Sequence, residues 1–202
     1  MITTIIFDFG DIFINLEKQK CASQFEELGI SLTNPLIIEQ NDLYEKGAIS
    51  EEEFLTTFLK LQPNLQIKDV KKAWNSVLGD FPLYRLEFLL MLSQKYQLFL
   101  LTNTDPIHIA YFEEMVGASF FTDFYNCFEK VFYSYEMKMR KPNPQIYTAI
   151  LNKYDLAPKR VLFVDDKKEN TDSAASLGIS VWNLQVGKED VVNLLENKNL
   201  FF

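Results

Sequence analysis

The chain has 202 residues, is 48% hydrophobic, contains 18 phenylalanines and carries a formal net charge of −8. That apolar content suffices for one well-buried core, or a core with a small appended domain, and excludes a disordered chain. The acidic balance excludes general binding to nucleic acid or to anionic membranes, both of which require a basic face.

The first expected element is an apolar strand, Thr4–Asp8, running into Phe9-Gly10-Asp11. A carboxylate at the carboxyl end of a buried strand stands where open α/β sheets hold ligands. Asp8 there can attack a phosphoryl or alkyl centre, carry a metal, or do both, although an aspartate after a strand also serves simply to cap a turn. From Asn15 to about Phe81 no strand is expected. Cys21, Phe25 and Leu28 recur at helical spacing, and Gly29 stops that run. Asn34-Pro35 opens a second helix that Gly47 closes, Ser50 with Glu53 forms a capping box for a third, and Asp69–Leu78 makes a fourth. This stretch reads as a small helical bundle inserted after the first strand and placed over the strand ends.

Strands resume at Gln97–Thr102. The Thr102 hydroxyl can donate a hydrogen bond to a phosphate or carboxylate oxygen, and Asn103 can add an amide donor. His108, the only histidine, is expected to be a packing or surface residue, and the helically spaced Phe120, Phe121, Phe124, Tyr125 and Phe128 to be core. A third strand is expected at Lys130–Tyr133. In Arg140-Lys141-Pro142-Asn143-Pro144, Pro142 keeps Lys141 out of the helix that follows. Asn143 caps that helix, Pro144–Lys153, with proline at its first position. A lysine fixed there can neutralise an aspartate and a phosphoryl oxygen as charge develops. The fourth strand, Arg160–Asp165, ends on Asp165-Asp166. Neighbouring carboxylates in a partly desolvated site repel one another, so together with Asp8 they require a cation. Oxygen-only ligands suit Mg²⁺. A helix at Thr171–Leu177, ended by Gly178 in the left-handed conformation, and a strand at Ser180–Leu184 complete an α/β pattern of parallel strands with helical crossovers.

Asp8, Thr102, Lys141 and Asp165–Asp166, in that order and each beside an expected strand, closely resemble the motif series of the haloacid dehalogenase-like (HAD) hydrolase superfamily, whose members are mostly phosphatases. The resemblance covers nearly the whole chain. Tyr44-Glu45-Lys46-Gly47-Ala48-Ile49-Ser50 with Phe54 is similar to the helical cap of its sugar-phosphatase-like and epoxide-hydrolase-N-domain-like branch. Lys141-Pro142-Asn143-Pro144-Gln145-Ile146-Tyr147 is similar to that branch's third motif. The resemblance implies a Rossmann-like core at 1–14 and 82–202 with a helical cap at 15–81. It implies a phosphoric monoester hydrolase that is Mg²⁺-dependent and acts on a small phosphorylated metabolite such as a sugar 1-phosphate. Asp8 would be the nucleophile and form an aspartyl-phosphate. Thr102, Asn103 and Lys141 would bind the phosphoryl group, and Asp8, the Gly10 carbonyl, Asp165 and Asp166 would hold the metal. Leu16, Tyr44 and Trp74 would face the substrate from the cap, and Asn170 and Asp172 would support the last motif.

One position departs from the pattern. Typical phosphatases of this superfamily carry a second aspartate two residues after the nucleophile, as general acid and base; here that residue is Gly10, and the next is Asp11. Such assistance is worth roughly 10²–10⁴-fold, so slow turnover or a good leaving group is expected. Two alternatives stand beside the phosphatase: a catalytically weak member that binds a phosphometabolite or regulates a partner, and a metal-independent haloacid dehalogenase.

Cys21 and Cys127 are too few for a disulfide framework and are expected to be reduced core residues. With no signal-peptide pattern at Met1-Ile2-Thr3-Thr4 and no apolar run beyond strand length, the expectation is a cytoplasmic protein with no membrane, nucleic-acid or disulfide-linked partner. The apolar tail Leu200-Phe201-Phe202 is expected to dock on the domain or on a neighbouring chain.

Overall fold

Five apolar runs form one parallel sheet: β1 (Thr4–Phe7), β2 (Gln97–Thr102), β3 (Lys130–Tyr133), β4 (Val161–Asp165) and β5 (Ser180–Asn183), in the order β3-β2-β1-β4-β5. The computed structural model describes residues 1–197, so the Leu200-Phe201-Phe202 tail lies outside the described residues. Strand ends differ from expectation by one residue: Asp8, Arg160 and Leu184 fall just beyond β1, β4 and β5. Asp8 nevertheless still donates its amide to the Val164 carbonyl at 2.9 Å.

Strands β1 to β4 are buried on both faces, which is why they read as continuous apolar runs rather than alternating ones. Ile5, Phe7, Leu98, Leu100, Leu162 and Val164 point into one core, and Ile6, Phe99, Leu101 and Phe163 into the other. Four helices precede β2 as an insertion: α1 (Lys18–Glu27), α2 (Pro35–Glu45), α3 (Glu51–Leu61) and α4 (Ile67–Asn75). They enclose a core of their own around Phe25, Phe54, Phe58 and Trp74. The Ser50–Glu53 capping box forms as expected, and Asn34 accepts the Leu36 amide at the start of α2. The first sheet face is covered by α5 (Leu83–Ser93), α6 (Pro106–Val116) and α7 (Ala118–Asn126), through Leu86, Leu89, Phe112 and Phe124. A short α8 (Ser134–Met137) follows β3; α9 (Pro144–Lys153) and α10 (Lys168–Ser176) cover the second face through Ile146, Tyr147, Ile150 and Ala174.

Two helices are displaced from expectation, each for a visible reason. α4 ends at Asn75, before the expected Leu78, because the chain there pairs with the segment entering the insertion: Leu16 and Leu78 form an antiparallel bridge, and Glu17 donates to Val77 O at 2.8 Å. Gly79 lies so close to this pair that a Cβ would stand 2.8 Å from Asn15 O. α10 begins three residues before the expected Thr171 because Asp165 Oδ1 accepts the Lys167 amide at 2.8 Å and closes the turn at once.

The aromatic run on α7 is core: Phe124 is fully buried, Phe128 nearly so, and Phe120, Phe121 and Tyr125 pack against the same cluster. Cys21 and Cys127 are both buried thiols. No helix among the described residues is long and apolar enough to cross a membrane. The chain runs outward from β1 through β2 to β3, then returns to lay β4 against the other edge of β1. The carboxyl ends of β1 and β4 therefore flank the switch point, where sheets of this type bind ligands.

Candidate active site

Three carboxylates meet at that switch point. Asp8, Asp165 and Asp166 each offer a ligand oxygen, all within 4.8 Å of one another. Lys141 is the counter-ion of two of them: its Nζ, completely buried, lies 2.7 Å from Asp8 Oδ1 and 2.7 Å from Asp165 Oδ2. Burial alone would lower the lysine pKa, but Asp165 and Asp8 outweigh it and hold the ammonium above its ordinary value. Burial pushes the Asp8 carboxyl up to about 7, and Asp165 adds to this against the pull of Lys141. One lysine does not balance three carboxylates. The donor set, hard oxygens only, fits a small divalent cation such as Mg²⁺.

Each member is held by neighbours. Asp165 accepts from Asn170 Nδ2 at 3.0 Å in addition to its Lys141 and Lys167 contacts. Tyr147, from the same loop-and-helix motif as Lys141, donates to Asn170 O at 3.0 Å and so fixes α10 against α9. Asn170 thus supports the acidic loop as expected. Asp172 does not: it pairs with Lys168 on the surface. The Lys141 backbone is clamped by Asn103, whose Oδ1 accepts the Lys141 amide and whose Nδ2 donates to the Lys141 carbonyl, both at 2.9 Å. Asn103 is therefore spent mainly on positioning Lys141. Thr102, buried at the end of β2, lines the adjoining cavity. The loop after it is pinned by Ser134, which accepts the Thr104 amide at 3.1 Å. Nothing in the sequence marked that serine.

Position 10 has a second occupant. A Cβ on Gly10 would stand 2.8 Å from Leu16 Cδ1, so Leu16 fills the volume that a larger residue would need. Asp11, at φ 58°, is turned elsewhere: its Oδ1 accepts the Leu16 amide at 3.0 Å and its Oδ2 lies 2.6 Å from Lys18 Nζ. It holds the entry to the insertion and does not stand in for an aspartate at position 10. Lys18, unremarked in the sequence, also reaches within 3.8 Å of Asp166 Oδ2.

Above the strand ends lies a cavity of about 290 Å³ between the sheet and the helical insertion. Thr102 and Asn103 line it from the sheet, and Leu16, Asn41, Glu45 and Trp74 from the insertion. Tyr44, expected to face the site, instead stacks on Phe54 inside the helical core, because only one side of α2 reaches the cavity. His108 also lines the cavity, its ring stacked on Trp74 at 5.2 Å. Its Nδ1 lies 3.1 Å from Asp105 Oδ2 and its Nε2 3.1 Å from Trp74 O. Both partners are acceptors, an arrangement that favours the doubly protonated ring. Burial works against that charge, but Asp105 and the Trp74 carbonyl prevail and raise the His108 pKa.

This latch joins α4 to α6 and predicts a pH dependence. A folded-state pKa raised above 6.5 gives a contribution that is complete below 6.5 and lost as pH rises through the folded value. His108→Leu should therefore destabilise by about 1.5–3 kcal/mol in mildly acidic buffer. The deficit should shrink toward alkaline pH in urea unfolding; a deficit independent of pH would show that the ring is neutral.

The sheet order and the carboxylate cluster at its switch point define the class: an open parallel α/β fold with an acidic site at the strand ends and a helical insertion. The family model for haloacid dehalogenase-like hydrolases matches residues 2–178, and the chain belongs to that family. It is 26% identical over 195 residues to the D-ribitol-5-phosphate phosphatase of Bacteroides thetaiotaomicron, covering 94% of this chain and 95% of that one. Among solved structures, a HAD family enzyme from Bacteroides thetaiotaomicron in its magnesium complex superposes with a TM-score of 0.86 at 34% identity, over 97% of this chain and 99% of that one. The L-2-haloacid dehalogenase of Xanthobacter autotrophicus shares the fold at a TM-score of 0.61, with 17% identity over 98% of this chain and 84% of that one.

Proposed function

We propose that the protein is an Mg²⁺-dependent phosphatase of a small phosphorylated metabolite, a sugar phosphate or similar, working through an aspartyl-phosphate on Asp8. The observation that carries this reading is the buried Lys141 ammonium, 2.7 Å from both Asp8 and Asp165, beside a carboxylate cluster that one lysine cannot neutralise. The relative named as a D-ribitol-5-phosphate phosphatase supports the reaction, and the magnesium complex of the similar HAD enzyme supports the metal. The inserted helices, 15–81, act as a cap over a core made of 1–14 and 82–202.

Asp8 attacks phosphorus, the bond to the leaving oxygen breaks, and water then attacks the same phosphorus to release inorganic phosphate and return the free carboxylate. Lys141 offsets charge on Asp8 and on the phosphoryl oxygens, and the Thr102 hydroxyl donates to one of those oxygens. Asn103 holds the Lys141 backbone in register. Asp8, the Gly10 carbonyl, Asp165 and Asp166 would hold Mg²⁺, which supplies electrostatic stabilisation of the transferring phosphoryl group. Position 10 contributes no acid, and Leu16 keeps the leaving oxygen in an apolar corner. The leaving group must then be good enough to depart with little help, or turnover is slow. That corner is also the feature favouring the second reading, a weak enzyme that binds a phosphometabolite.

Phosphate release from a panel of sugar, polyol, acyl and aryl phosphates tests the proposal. Protein treated with EDTA is expected to be inactive, with turnover restored by Mg²⁺. Turnover that persists in EDTA, or halide release from 2-haloacids there, would overturn it. Tight binding of a panel member without turnover would favour the second reading.

A further inference from the structure

Asn41 and Glu45 lie four residues apart on α2 and so share one side of the helix, the side that lines the cavity. Behind them Arg140 places Nη2 2.7 Å from Glu45 Oε2 and Nη1 2.8 Å from Asp42 Oδ1. The ion pairs leave hydrogen bonding incomplete. Asn41 Oδ1 and Arg140 Nε are buried with no hydrogen-bond partner among the described protein groups, and the Arg140 guanidinium is the contact made by Glu45 Oε2. Buried polar atoms in native proteins are nearly always paired, so the unpaired Asn41 amide oxygen beside the Glu45 carboxylate, on two residues that line the cavity, marks a place for a ligand's own polar groups. Burial raises the Glu45 carboxyl above its usual range in spite of Arg140, as suits a carboxylate short of donors.

The chemistry of the wall selects the ligand. An amide oxygen and a carboxylate accept hydrogen bonds and repel a phosphate, so a phosphate belongs at the far end, with Lys141 and Thr102. Hydroxyl groups fit the α2 end, because each brings a donor. The same cavity carries apolar surface from Leu16, Leu32, Trp74 and Val77. That surface suits the carbon chain of a polyol or the C–H face of a sugar. We infer that Asn41 and Glu45 form a hydroxyl-recognising subsite that selects a polyhydroxylated leaving group over an aryl or acyl one. The inference rests on the phosphatase reading of Asp8 for the position of the phosphate.

Binding can be read apart from turnover by calorimetric titration in Mg²⁺, in an Asp8→Asn background, with D-ribitol 5-phosphate and phenyl phosphate as probes. The polyol ester should bind more tightly, and Glu45→Gln should cut that preference by about 10- to 100-fold, the loss expected for a hydrogen bond to a charged group. Asp42→Asn weakens the same hold of Arg140 on α2 from outside this cavity, and should change the preference by about twofold at most. Equal binding of the two probes, or an equal loss in Glu45→Gln and Asp42→Asn, would overturn the subsite. A preference that persists while the protein with native Asp8 hydrolyses no ester would sink the phosphatase reading and leave the subsite standing.

Discussion

Asp8→Asn is expected to lose phosphate release by roughly 10³-fold or more while making the metal-free protein more stable at neutral pH. The activity loss follows from removing the carboxylate that follows β1 and pairs with Lys141. The gain in stability follows from linkage. The Asp8 carboxyl is raised from 3.8 to about 7, by burial ahead of Asp165, with Lys141 opposing. For an acid raised in the folded state, the relative stabilisation holds below the unfolded value and is lost as pH climbs through the folded one. Ionised Asp8 therefore burdens the native state increasingly between about pH 4 and 7. Asparagine keeps an oxygen to accept from Lys141 and carries no charge. Calorimetric melting without metal should show the variant and wild type together in acid and on the order of 2–4 kcal/mol apart at neutral pH. Mg²⁺ should narrow the gap, because a ligand that binds only the native state stabilises it. Identical melting curves across the range would show that Asp8 carries no such burden, and the nucleophile assignment would lose its electrostatic support. With the expected gap, the same group is both reactive and destabilising, a familiar trade at active sites.

Lys141→Met should have the opposite effect on stability. The lysine is completely buried between Asp8 and Asp165 and its Nζ stands 5.4 Å from the centre of the Phe163 ring. Methionine nearly matches its volume but leaves two carboxylates facing each other without a cation. Breaking a buried charged pair by removing one partner costs about 3–5 kcal/mol. Because the lysine pKa is raised above 10.5, wild type keeps this contribution throughout the neutral range and loses it only at strongly alkaline pH. The deficit in Lys141→Met should therefore be full near neutrality and smaller in acid, where Asp8 takes up a proton. Urea unfolding at several pH values measures it. Mg²⁺ should recover part of the stability and none of the turnover if the lysine acts on the phosphoryl group. Recovery of both would mean that Lys141 is only a structural counter-ion.

Local sequence carried much of this architecture. Strand runs, the Ser50–Glu53 box and the Asn143-Pro144 helix start are short-range features, set by apolar spacing and by side chains bonding backbone a few residues away. They were legible for that reason, within one residue for the strands. The acidic and basic members of the site, Asp8, Lys141, Asp165 and Asp166, could be named from their places beside strands. Their roles could not be ordered from spacing. Asn103 looked like a donor to substrate because no local rule says that its amide meets the Lys141 backbone 38 residues away. Tyr44 looked like a cavity residue because the sequence does not show which side of α2 turns outward. His108 looked inert because Trp74, whose carbonyl and ring it meets, lies 34 residues away on another helix.

By itself, then, the sequence determined that an apolar parallel sheet would form and that carboxylates and a lysine would stand at strand ends, since both depend on patterns a few residues long. Only the tertiary structure decided what those groups do to one another. It set one ammonium between two carboxylates, put Leu16 into the space beside Gly10, and brought Asn41, with its amide oxygen unpaired, beside the Arg140-bound Glu45 at a cavity. Each of these depends on distance through space and on exclusion of water, and neither quantity is written in the order of the residues.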